Sequence, residues 1–179
     1  MTPRARCVPI AVMSHDPERL RRIEAALTYP EKVEPSLGQR RLMLRLSSVS
    51  SMRSDACAWA IVGAELRRRE APPTAIVREV RYLRGTEGRL EVRDVEIDEA
   101  LAKAWCREAA AIRVPLIDVE ARMGVDGSTS TLYAESGFSS VKLSWWCDGP
   151  SEWRPLTQWA EQLMTRLEAV TADITPTVL

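Results

Sequence analysis

Two segments of this chain, Ala75 to Arg84 and Gly88 to Ile97, flank the short loop Gly85-Thr86-Glu87 and fit each other in one antiparallel register. With Arg84 opposite Gly88, Tyr82 meets Leu90 and Val80 meets Val92 on one side, while Arg81 meets Glu91 and Glu79 meets Arg93 on the other. A slip of one residue sets apolar side chains against charged ones, so cross-strand pairing specifies the register. Toward the hairpin base, Val77 meets Val95 and Arg78 meets Asp94. The apolar pattern there changes face in both strands together. That requires either a long coiled hairpin burying opposite faces at its two ends, or a bulge near Arg93.

The remaining segments supply strands and helices around this hairpin. Val8 to Met13 reads as a short strand, and Asp16-Pro17 as a helix start, the aspartate capping free backbone donors while proline occupies the first helical position. Leu20, Ile23, Ala26 and Leu27 share one face of a helix from Pro17 to Thr28, followed by a loop to Gln39. Alternation predicts a strand over Arg41 to Val49, and Ser54 or Asp55 is read as the cap of a helix running to Arg69. A further helix is expected from the cap Asp98 to Ile112, with Leu101, Trp105 and Ile112 on its buried stripe. Val114 to Val119 reads as extended, and Gly124 to Gly127 as a turn. A second hairpin pairs Leu132 with Leu143 and Ala134 with Val141 around Gly137-Phe138, where glycine suits a type II′ turn. The last helix, Ser151 to Thr171, aligns Leu156, Trp159, Leu163, Leu167 and Val170, and the tail from about residue 173 is expected to be flexible. Together these elements predict an α+β chain forming a single domain over residues 1–179, a largely antiparallel sheet with helices packed mainly on one face.

Composition narrows the function. Among 179 residues, 45% are hydrophobic and 28% charged, the balance of a globular chain, and no apolar run approaches the roughly 20 residues of a membrane span. The net charge is 0, but residues 1–93 carry an excess of 7 positive charges and residues 94–179 an equal excess of negative ones. These halves either pair in the fold or form separate patches that steer charged partners. A neutral total argues against nucleic acid as the main ligand, since such binding rests on neutralising phosphates. Cys7, Cys57, Cys106 and Cys147 are dispersed, and the single histidine, His15, cannot complete a zinc set. Neither a structural metal nor a disulfide is expected, Cys57 and Cys106 being read as small core residues, and a cytoplasmic location is expected in the absence of a signal peptide. No phosphate-cradling glycine loop, dinucleotide fingerprint or nucleophile elbow occurs, so neither a cofactor nor a catalytic residue is assigned.

The most distinctive stretch is Trp145-Trp146-Cys147-Asp148-Gly149-Pro150-Ser151-Glu152-Trp153-Arg154-Pro155-Leu156. Its tryptophans either lock a strand to a helix or present a binding surface, Trp146 and Trp153 being the candidates for the latter. Asp126-Gly127-Ser128-Thr129-Ser130-Thr131-Leu132, followed by Gly137-Phe138, Trp145-Trp146, Pro150, Trp153 and Pro155-Leu156, resembles the C-terminal part of small bacterial proteins similar to immunity proteins of polymorphic toxins. The resemblance covers the last third of the chain. It implies a protein that occludes its toxin by shape and charge and performs no chemistry. On that reading the acidic half faces a basic toxin domain, with Asp118, Glu120 and Asp126 as contact residues beside Trp146 and Trp153. The alternative is an enzyme or small-ligand domain with a cleft lined by those tryptophans. The oligomeric state is left open.

Overall fold

In the computed structural model, which describes residues 17–35, 37, 40–50, 56–65, 74–83, 88–115, 127–136 and 138–179, the hairpin takes the register that its residues specify. Strands β3 (Thr74–Leu83) and β4 (Arg89–Asp98) pair without interruption from Thr74 opposite Asp98 to Leu83 opposite Arg89, so no bulge occurs at Arg93. The hairpin buries opposite faces instead. Val77 enters one apolar cluster, with Leu44, Trp59, Leu163 and Leu167, while Val80 enters another, with Ala26, Leu90 and Val92.

Around it lie α1 (Pro17–Thr28), β1 (Arg40–Ser50), β2 (Ala56–Glu65), α2 (Glu99–Ala111), β5 (Ser128–Ser136), β6 (Ser139–Trp146), α3 (Arg154–Thr171) and β7 (Thr177–Val178). The strands form one antiparallel sheet in the order β6-β5-β1-β2-β3-β4-β7. Helices α2 and α3 cover one face and α1 the other, which gives an α+β single-domain fold with its larger core under α2 and α3. None of the described helices is long and apolar enough to cross a membrane.

Four local expectations are corrected. The stretch read as a helix from Ser54 to Arg69 contains β2, whose described partners are β1 and β3. Ala56, Ala58, Trp59, Ala60, Ile61 and Val62 are all buried, because this central strand is covered on both faces. Such a strand is apolar throughout and carries no alternation to distinguish it from a helix. On α2, Asp98 caps Ala100 as expected, but Leu101 is 42% exposed and the buried stripe runs through Ala102 and Trp105, with Cys106 and Ala109 half-buried. A Cβ on Gly63 of β2 would lie 3.5 Å from the Glu99 carboxylate, at ordinary contact distance.

The third correction concerns the C-terminus, where β7 pairs with β4, Val178 opposite Glu91 and Thr177 opposite Val92. Leu179 adds a bond from its N–H to the Leu90 carbonyl at 3.0 Å. The hairpin leaves one edge of β4 with free backbone groups, and the β-branched pair Thr177-Val178 satisfies part of it. Likewise on α1, Ala26 is buried and Ile23 and Leu27 half-buried, but Leu20 is 54% exposed. The expected strand at Val8 to Met13, the extended piece beyond Pro115, most of the Gly124 to Gly127 turn, Cys7, His15 and the conformation of Gly137 lie outside the described residues. The second hairpin has the expected register, Leu132 opposite Leu143 and Ala134 opposite Val141.

Candidate functional site

Antiparallel registers bring chemistry together where α3 leaves the sheet uncovered. Ser48 on β1, Cys57 on β2 and Arg81 on β3 stand side by side in one cross-strand row. The neighbouring row holds Leu46, Trp59 and Glu79, and strand alternation places both rows on the α3 face. Opposite them, Glu161, Met164, Thr165 and Glu168 recur at helical spacing along one stripe of α3. All of these residues except Leu46 and Glu79 line a cleft of about 470 Å³ between helix and sheet.

A ladder of alternating charges crosses the cleft's floor and continues past it. Glu168 lies 3.8 Å from Arg81, Arg81 pairs with Glu79 at 2.8 Å, and Glu79 pairs with Arg93 at 2.8 Å. Arg93 continues to Glu91 at 3.1 Å, and Glu91 to Arg89 at 2.6 Å. Glu79 is almost wholly buried, and burial alone would raise its pKa, yet hydrogen bonds from Arg93 and Arg81 outweigh that and hold the carboxyl below its ordinary value. Burial would likewise lower the Arg81 pKa, but its bond with Glu79 raises it. The Cys57 thiol donates to a Glu79 oxygen at 3.4 Å; burial first, and the Glu79 charge next, push it far above the usual thiol range. These three groups thus stay in one protonation state near neutrality, so they can position and bind but not shuttle protons. Two nitrogens of lining residues, Nε1 of Trp59 and Nε of Arg81, are buried beneath the cleft's surface without a hydrogen-bond acceptor among the described residues.

The tryptophan-rich segment is divided by the sheet. Trp145, Trp153 and Trp159 belong to the core under α3, and the Trp153 indole donates to the Pro115 carbonyl at 3.1 Å. Alternation sends Trp146 to the other face, half-buried, where a Cβ on Gly127 would lie 2.8 Å from its ring. Trp146 and Trp153 therefore do not share a cleft. Asp118, Glu120 and Asp126 lie outside the described residues.

A second exposed feature lies at the far end of the sheet. Phe138, at the apex of the β5–β6 hairpin, has its whole side chain in solvent, and Val141 on β6 is 46% exposed. Among the described residues β6 pairs only with β5, making it an outer strand. The two halves of the chain meet in the ion pairs Arg78–Asp94 and Arg81–Glu168, whereas Arg45–Glu31, Lys103–Glu99 and Arg166–Glu108 pair within one half.

Neither a family model, nor a curated protein, nor a solved structure matches this chain.

Sequence reasoning foresaw the register of Arg81 opposite Glu91 and the Glu79–Arg93 pair, but neither the turn of the Arg81 side chain to Glu79 and Glu168 nor the cleft. The available signal was the recurrence of Glu161, Thr165 and Glu168 beside the apolar stripe of α3. It acquires meaning only once β1, β2 and β3 are known to lie beneath that helix.

Proposed function

We propose that this protein is a non-catalytic protein-binding module, an immunity protein that occludes a cognate basic toxin domain. The observation that carries the reading is Phe138, a fully exposed aromatic ring at a hairpin apex, with Val141 also exposed on the outer strand that follows. Solvent exposure of a large apolar side chain contributes nothing to folding, whereas an aromatic anchor flanked by a free strand edge is a common means of docking a protein. The cleft's chemistry is compatible with this reading, since its thiol is held protonated and its buried carboxyl held ionised by two arginines.

The test uses Phe138→Ser, which should leave the melting temperature unchanged. Wild-type protein is used to capture its partner from the native cell, and the captured protein is then expressed alone and with either form of this chain. The reading requires growth arrest that wild type relieves and Phe138→Ser does not, with stoichiometric inhibition of the partner's activity in vitro. Equal capture and protection by both forms, or a partner whose activity is unaffected, would overturn it.

A further inference from the structure

The two outer sides of the sheet are finished differently. On one, β4 is partly covered by β7, Leu179 adds a bond to the Leu90 carbonyl, and the stretch beyond β7 carries the acids Asp94, Glu96 and Asp98. A covering strand and charged side chains are the usual means of keeping an edge from pairing with another chain. On the other side, β6 has no covering strand among the described residues and a single charge, Lys142. It runs through Ser139–Trp146 in unbroken register with β5, without proline or bulge. Ser139, Ser140, Val141, Lys142 and Ser144 are all exposed.

The backbone of β6 is ordered for pairing. In an antiparallel ladder, alternate residues direct their N–H and C=O groups to the same neighbour. Cys147, just beyond β6, donates its N–H to the Ser128 carbonyl of β5, so Val141, Leu143 and Trp145, of the same parity, bond toward β5. Ser140, Lys142 and Ser144 therefore direct theirs outward, to the side on which no described strand lies. Two registers with two-fold symmetry engage all three of these residues within β6. One is centred on Lys142 and sets two lysines directly opposite each other, which is destabilising. The other is centred on Leu143. It sets Leu143 against its own copy, Val141 against Trp145 and Lys142 against Ser144, with no like charges face to face.

We propose that β6 pairs antiparallel with β6 of a second copy of this chain, Leu143 lying on the two-fold axis. Such a contact presents one patch from both sides, so each gain is made twice. Lys142 and Ser144 exchange backbone hydrogen bonds on either side of the axis. Alternation sets Val141, Leu143 and Trp145 on the α3 face, where Leu143 and Trp145 already belong to the larger core and Val141 is 46% exposed. Pairing therefore covers Val141 with Trp145 of the second copy and joins the two apolar layers. It also occupies the strand edge used in the docking proposed above, so a docking partner displaces the second copy. Self-association is nonetheless measured without any partner, and its failure and that of partner capture are separate results.

The experiment is sedimentation equilibrium of the full chain at up to about 100 µM, with hydrogen exchange at high and low protein concentration. A two-copy species should form, and the amides of Lys142 and Ser144 should exchange more slowly as it does. Val141→Lys, at an exposed position, should weaken association at least roughly tenfold. Lys142→Pro removes an N–H that faces solvent in the single copy, where an edge strand tolerates proline, so the melting temperature of the dilute protein should hold while association is lost. The register is read by Leu143→Cys and Val141→Cys, each combined with Cys147→Ser. Facing Cα atoms in a non-hydrogen-bonded pair stand about 4.5 Å apart, within disulfide range, so mild oxidation should link two copies of the Leu143→Cys chain and not of the Val141→Cys chain. A single-copy species throughout, association indifferent to Val141→Lys and Lys142→Pro, or no link in the Leu143→Cys chain would each overturn the proposal.

Discussion

Arg78 and Asp94 face each other across β3 and β4, their closest atoms 2.6 Å apart, although the arginine is wholly buried and the aspartate one-third exposed. The guanidinium reaches Asp94 through both Nε and Nη2 and also donates to the carbonyls of Val33 and Pro35. One side chain thus fastens the segment after α1 to the outer half of the sheet. A buried cation is tolerable there because carboxylate and carbonyl oxygens surround it.

Arg78→Lys should therefore destabilise the protein by about 3 kcal/mol, since an ammonium cannot reproduce the bidentate fork or its two further bonds. Denaturant melts measure the loss, and hydrogen exchange should localise the extra opening to Val33 and its neighbours.

Glu79 predicts an acid response with a definite sign. Its folded pKa lies below the ordinary value of 4.5, so the stability it contributes is present above pH 4.5 and disappears as pH falls through the lowered folded value. Glu79→Gln should cost about 3 kcal/mol at neutral pH, by leaving Arg81 and Arg93 partly uncompensated, and should flatten the acid limb of a stability profile. An acid limb as steep as that of wild type would refute this role.

Cys57 on β2 and Cys147 just after β6 should differ in reactivity. Cys147 is exposed, whereas Cys57 is held protonated by burial and by Glu79. With iodoacetamide at neutral pH, peptide mapping should find Cys147 alkylated well before Cys57, and denaturant should erase the difference.

Removing Thr177–Leu179 should cost roughly 1–2 kcal/mol, the value of a few net backbone hydrogen bonds, and raise exchange on β4 near Val92. Unchanged exchange there would show that β7 does not protect the edge.

What was legible in the sequence was pairwise. Tyr82 with Leu90 and Arg81 with Glu91 could be matched because both partners of each contact sit within one short hairpin, and Leu132 with Leu143 for the same reason. Positions whose neighbours come from elsewhere were harder. Trp59 and Ile61 lack an alternating pattern because β2 is covered by sheet neighbours on both sides and by apolar layers on both faces. Leu101 follows the hydrophobicity of the stripe, but it is Ala102 that is buried, and which side of a helix meets the sheet is decided by packing with other elements. The cleft depended on strand order: Ser48, Trp59, Arg81 and Glu161 come from four elements, and no local pattern states that β1, β2 and β3 are adjacent beneath α3.

The strand order also imposes a schedule on synthesis. The β3–β4 and β5–β6 hairpins each close from contiguous chain, but β1 takes as neighbours β2, which follows it, and β5, which begins at Ser128. During translation the flank of β1 from Leu44 to Ser50 stays open while β2, β3, β4 and α2 are already available. Closing so distant a pair is slow relative to hairpin formation, and an open strand edge is a template for mispairing with other nascent chains. The emergence of β5 thus closes the flank of β1 and passes the open edge outward, first to β5 itself and then to β6.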